Sequence, residues 1–161
     1  MHKPPRILIV DDNETNRDIL RSRLGPQGYE LLEAADGEEA LAAARQHHPD
    51  LILLDVMMPK MDGIGACRQI KADASLPFMP VVLVTAKSDS KDVVAGLEAG
   101  ADEYLTKPLD HSALVARVKS MLRMKELTDQ VRAQAADLAA WNRTLEERVE
   151  QSSRKSSAWI G

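Results

Sequence analysis

The sequence is poor in several things at once. It holds one cysteine, Cys67, in 161 residues, and aromatic residues make up only 3%. A single thiol excludes an internal disulfide and suits a reducing compartment. Cys67 falls in a helical pattern and reads as packing. With so few rings the core must be aliphatic, and 44% hydrophobic residues is enough to build one. No apolar run approaches the roughly 18 residues of a membrane span. The opening stretch Met1-His2-Lys3-Pro4-Pro5-Arg6 has no apolar leader segment. A soluble, cytoplasmic protein is expected. There is no dense Lys/Arg cluster, zinc pattern or recognition-helix signature, which disfavours direct nucleic-acid binding. Charge is uneven. Residues 1–110 carry 12 basic and 19 acidic side chains, and residues 111–161 carry 9 and 6. The mildly basic C-terminal part reads as a solvated helix surface. No internal repeat is visible.

What is present is alternation. Short apolar runs with strand character, Arg6–Val10, Tyr29–Ala34, Leu51–Leu54, Val81–Val84 and Asp102–Thr106, alternate with amphipathic helical stretches. Helices are expected over about 15–26, 38–47, 63–72 and 89–99, with Asp89 as a cap and Gly100 as a stop. This (βα)5 pattern with continuous apolar strands predicts a five-stranded, doubly wound parallel sheet covered on both faces. A fifth helix starts near Asp110 and meets neither proline nor glycine before Gln151. Some 40 residues at 1.5 Å each span about 60 Å, too long to pack wholly on a small domain. The expected organisation is a domain over 1–123, a helical stalk over 124–151 and a frayed tail over 152–161, where Trp159 lies.

The chemistry sits at the strand ends. The first strand runs into Asp11-Asp12, the third into Asp55, the fourth into Thr85 and the fifth into Lys107-Pro108. In open α/β sheets the carboxyl ends of the strands carry the site. Three converging carboxylates repel one another and raise one another's pKa unless a cation intervenes. A hard divalent ion with oxygen ligands fits, Mg2+ first and Mn2+ as its substitute. Asp55 can then serve as a nucleophile toward phosphorus, forming an acyl phosphate. Lys107 offers a compact positive charge and Thr85 a hydroxyl for other phosphoryl oxygens. Lys107-Pro108 is a candidate cis peptide. Met57 and Lys87 border the site and should govern water access to the acyl phosphate. His47 and His48 precede Pro49 at a helix end and read as surface or cap residues.

These segments together resemble the receiver domain of two-component response regulators. The matching residues are Asp11-Asp12, Asp55-x-x-Met58-Pro59-x-Met61-Asp62-Gly63, Val84-Thr85-Ala86 and Gly100-Ala101-Asp102-x-Tyr104-Leu105-x-Lys107-Pro108. The resemblance covers residues 6 to about 123, with four motifs in order at family spacing. It implies a flavodoxin-like fold and a phosphorelay role. Asp55 would accept a phosphoryl group from a sensor histidine kinase or a phosphotransfer protein. Asp12, Asp55 and the Met57 backbone carbonyl would hold Mg2+, with Asp11 acting through water. Thr85, Ala86 and Lys107 would bind the phosphoryl group, and Thr85 with Tyr104 would form the switch pair. Such a domain assists its own phosphorylation and is not a turnover enzyme.

Two other classes compete. A haloacid-dehalogenase-like phosphatase also uses an aspartyl nucleophile after a strand, but its usual acid two residues on is Met57 here. A flavodoxin-like binding module would need a phosphate-cradling loop after the first strand, where Asp11-Asp12-Asn13-Glu14 stands. In the stalk a heptad places Met121, Thr128, Ala135, Asn142 and Val149 at a, and Met124, Val131, Leu138 and Leu145 at d. Asn at an a position specifies register and two-stranded parallel pairing. A homodimer through this helix is therefore expected. The segment Leu138–Gln151 is also similar to linkers that precede nucleotide cyclase or other output domains, so either the parent protein carries such a domain or the helix is itself the output.

Overall fold

The computed structural model describes residues 1–58, 61–86 and 90–160, with side chains through Lys155. Pro59, Lys87, the expected cap Asp89 and the Trp159 side chain lie outside what is described. The strands are β1 (Arg6–Val10), β2 (Glu30–Ala34), β3 (Leu51–Asp55), β4 (Val81–Ala86) and β5 (Glu103–Lys107). The helices are α1 (Glu14–Leu24), α2 (Gly37–His47), α3 (Gly63–Ala72), α4 (Ser90–Glu98) and α5 (His111–Ile160), with a 3-10 turn at Gly25–Gln27. The helix assignment thus runs on past Gln151, through the stretch where fraying was expected. All strand pairings are parallel, in the order β2-β1-β3-β4-β5. The (βα)5 doubly wound expectation is borne out.

The continuous apolar strands have the cause anticipated for them. Side chains alternate across each strand, and both faces are covered. Leu8 and Val10 of β1, with Ile52 and Leu54 of β3, join Ala40, Leu41 and Ala44 of α2 and Ala66, Cys67 and Ile70 of α3. Ile7 and Ile9, with Leu51 and Leu53, meet Leu20 and Leu24 of α1 and Leu114, Val118, Met121 and Leu122 of α5. The edge strands β2 and β5 are only partly buried and lose the continuous apolar pattern accordingly. Helix starts are set by side-chain caps: Asn13, Asp36, Asp62 and Asp110 accept from backbone N–H groups three residues on.

The chain divides into two compact units, Met1–Glu126 and Leu127–Gly161. In the second, α5 exposes Leu127, Val131, Leu138, Trp141, Leu145 and Val149. Met124, read as a d position of the stalk, instead packs partly buried against the α1/α5 side of the core. Its side chain is claimed by the nearest apolar surface, so the exposed stripe begins after it. No helix among the described residues is long and apolar enough to cross a membrane.

One close approach ties the fold to the strand ends. A Cβ on Gly63 would lie 2.2 Å from the backbone oxygen of Asp55. Backbone cannot yield as a side-chain tip can. Gly63→Ala is expected to cost about 3 kcal/mol, measured as a shift in denaturant midpoint. A variant as stable as wild type would show that the loop after β3 can move aside.

Candidate functional site

Each site residue reaches the sheet edge by a different element. Asp11 follows β1 and is buried, while the next residue, Asp12, is exposed. Asp55 ends β3 and is 5% exposed. Thr85 belongs to β4 and comes just after Val84, the register partner of Asp55. Lys107 ends β5, in register with Ala86, and precedes a cis proline. Parallel strands with a shared register bring these ends to one place.

One carboxylate oxygen each from Asp11, Asp12 and Asp55 lies within 4.8 Å of the others. Lys107 Nζ stands 3.4 Å from Asp55 Oδ1 and 3.9 Å from Asp11 Oδ2. The Met57 N–H donates to Asp55 Oδ1 at 3.4 Å, and the Asn13 N–H donates to Asp11 Oδ1 at 2.9 Å. One ammonium leaves an excess of negative charge among three carboxylates, which matches a divalent cation. Burial is the main cause that raises the Asp55 pKa above the ordinary carboxylate value, and the Asp11 charge adds to it. Lys107, by charge and hydrogen bond, and the Met57 N–H oppose the rise. The Thr85 hydroxyl is buried and finds no hydrogen-bond partner among the described residues. A buried orphan hydroxyl is costly, so it marks a place where a ligand oxygen would be welcome. The residues present fit both a hard cation and a phosphoryl group.

Other residues named from the sequence lie as follows. Tyr104 sits on β5 opposite Leu83 and is 39% exposed. The Met57 side chain is largely exposed at the rim. His48 closes α2 in the left-handed region, and its carbonyl contacts the His2 ring at 3.0 Å. Asp102 turns out to serve packing. Its Oδ2 takes the Val81 N–H at 2.8 Å and pairs with Lys71 at 2.7 Å. A cavity of about 260 Å³ opens beside Asp55 and Lys107, between α1 residues Ile19, Leu20 and Arg23 and the Pro108-Leu109 turn. Two interactions had no signal in the sequence. Arg17 donates to the Asp11 carbonyl at 2.7 Å, and Arg23 to the Leu109 carbonyl at 2.9 Å. The first closes the turn between β1 and α1, and the second joins residues that only the tertiary fold brings together.

A parallel α/β sheet with an acidic trio, a lysine and a threonine on its carboxyl edge defines a phosphoacceptor class of domain. Comparison with known proteins agrees. The family described as Response regulator receiver domain matches residues 7–119. The chain is 48% identical over 131 residues to Response regulator PleD of Caulobacter vibrioides, covering 81% of this chain and 29% of that protein. It is 46% identical over 122 residues to the alkaline phosphatase synthesis transcriptional regulatory protein PhoP of Bacillus subtilis, covering 76% of this chain and 50% of that protein. Among solved structures, a signal receiver domain of a signal transduction histidine kinase from Syntrophus aciditrophicus superposes with a TM-score of 0.69 at 41% identity, covering 74% and 90% of the two chains. A CheY-like response regulator receiver domain protein from Methanospirillum hungatei gives 0.71 at 32% identity, covering 77% and 98%. The chain belongs to the response regulator receiver domain family and is a receiver of the two-component type. It spans 29% to 50% of the length of the two curated relatives.

The raised Asp55 pKa has a consequence for stability. Between the ordinary carboxylate value and the raised folded one, the folded chain binds more protons than the unfolded chain. Stability therefore falls as pH rises through that interval. Asp55→Asn removes the charge. In chelator near pH 7 the variant is expected to melt about 2–4 °C above wild type, with the gap closing as acid neutralises Asp55. Identical melting curves at every pH would contradict this.

Proposed function

We propose that Asp55 is the phosphoacceptor of this receiver, taking a phosphoryl group from a phosphohistidine of a sensor kinase or phosphotransfer protein. The observation that carries the reading is the buried Thr85 hydroxyl, without a hydrogen-bond partner among the described residues, one residue past the partner of Asp55 in the sheet. An Asp55 oxygen attacks phosphorus, the new P–O bond forms as the P–N bond breaks, and the imidazole leaves. Lys107, already 3.4 Å from Asp55, stabilises charge on one phosphoryl oxygen. Thr85 donates its hydroxyl to another, and the Ala86 N–H to the same group. Asp12, Asp55, the Met57 carbonyl and Asp11 (through water) would hold Mg2+, or Mn2+ in its place, which when bound would supply the positive charge that lets the carboxylates coexist beside a phosphoryl group.

The readout runs through Thr85 and Tyr104. A phosphoryl oxygen draws the Thr85 hydroxyl toward Asp55, and the exposed Tyr104 ring on β5 turns into the space that this frees. The exposed stripe Val131, Leu138, Leu145 and Val149, with Asn142 between, supports a parallel two-stranded homodimer of α5. Met124 is committed to the domain core and contributes little to that seam. The similarity of Leu138–Gln151 to linkers preceding nucleotide cyclases or other output domains supports a parent protein with such a domain. The receiver itself performs no turnover chemistry, and the single cysteine supports a cytoplasmic location.

Beryllium fluoride with Mg2+ mimics a phosphoryl group and is expected to bind wild type and not Asp55→Asn, read by calorimetry. Equal binding by both would sink the assignment. In sedimentation the chain is expected to be dimeric and Leu138→Lys with Leu145→Lys monomeric. A wild-type monomer at high concentration, with or without the mimic, would defeat the dimer.

A further inference from the structure

We infer that Arg17 is a positioning residue for the acidic site: it orients the peptide joining Asp11 to Asp12, and so sets the site's affinity for a divalent cation. This rests on the reading of Asp11, Asp12 and Asp55 as cation ligands. β1 ends at Val10. The Asp11 N–H still reaches the Ala34 carbonyl at 3.2 Å, but the Asp11 carbonyl is received by Arg17 Nη1 at 2.7 Å. The other edge of the same guanidinium, Nε, lies 3.3 Å from Glu33 Oε1 on β2. Glu33 Oε2 is braced in turn by Arg21 at 3.2 Å. The Arg17 side chain is only 16% exposed.

A planar guanidinium with two engaged edges fixes direction as well as distance. The Asp11 carbonyl carbon is bonded to the Asp12 nitrogen. Turning that peptide would swing Asp12, whose carboxylate must stay close to those of Asp11 and Asp55. On the far side, the Asp11 carboxylate accepts from the Asn13 N–H, and Asn13 caps α1. The short loop is thus closed onto α1 at one end, and Arg17 ties it to β2 at the other. Arg17 does this through a carbonyl and Glu33. Its positive charge is engaged there, rather than competing with a cation for the carboxylates. Outer partners that orient ligands typically change metal affinity about 10–100-fold when removed.

The test is a Mn2+ titration of the whole chain followed by the electron paramagnetic resonance of free Mn2+. Arg17→Ala is expected to weaken binding about tenfold. Arg17→Lys, which keeps the charge and loses the fork, should fall between it and wild type. Arg21→Ala, which leaves the Arg17–carbonyl bond in place, should bind as wild type does. A merely structural Arg17 would lower the melting temperature in chelator and leave Mn2+ affinity unchanged, and that result overturns the inference. If Arg17→Ala does not fold, Arg17→Lys decides by the same comparison. Asp12→Asn separates the two readings. Lost binding in Asp12→Asn with wild-type binding in both Arg17 variants refutes the positioning role alone. Wild-type binding in Asp12→Asn refutes the cation site itself.

Discussion

The crowding of negative charge at the end of β3 is the constraint on which the rest depends. Asp55 is buried, with a second buried carboxylate and a third exposed one within a few ångströms. Such a trio is held together against its own repulsion by the fold around it. Lys107 relieves part of the strain, and the Met57 and Asn13 N–H groups relieve a little more. The remainder is a standing affinity for positive charge. The domain core must be stable enough to tolerate that crowding.

The core meets this demand by rigidity. β1, β3 and β4 are buried along nearly their whole length between helices, which holds their ends in register. Close backbone approaches reinforce it. Gly63 lies against the Asp55 carbonyl, and a Cβ on Gly96 would meet Leu83 at 2.0 Å. At Gly63 an added carbon would meet backbone, which cannot yield, whereas at Gly96 it would meet the end of the Leu83 side chain. By contrast, the elements assigned to readout are less buried. Tyr104 lies on an edge strand, and the last apolar residues of α5 are exposed. Groups meant to move or to pair are expected at the less tightly packed positions.

Much of this was legible in the residues. Apolar runs ending in Asp11-Asp12, Asp55, Thr85 and Lys107 showed both the parallel sheet and its chemical edge. Continuous apolarity signals burial on two faces, and carboxylates at strand ends are otherwise hard to justify. The stalk was less legible. The heptad included Met121 and Met124, yet the first is buried in the domain core and the second packs against it. Periodicity says which residues share a face and is silent about which surface the face meets. Asp102 stood inside a motif of the site but caps the opposite end of the sheet through Val81 and Lys71.

The sequence by itself determined the order of strands and helices, the alternation of core faces and the set of reactive side chains. These follow from local pattern and from the cost of burying charge without purpose. Only the tertiary structure decided which strands are neighbours, that the Thr85 hydroxyl lacks a partner among the described residues, and that Arg17 grips the Asp11 carbonyl while bracing Glu33. Apart from the local bond between Arg17 and the Asp11 carbonyl, those facts depend on residues from separate elements. No local pattern encodes a distance between two strand ends, because that distance is set by the packing of helices on both sides of the sheet.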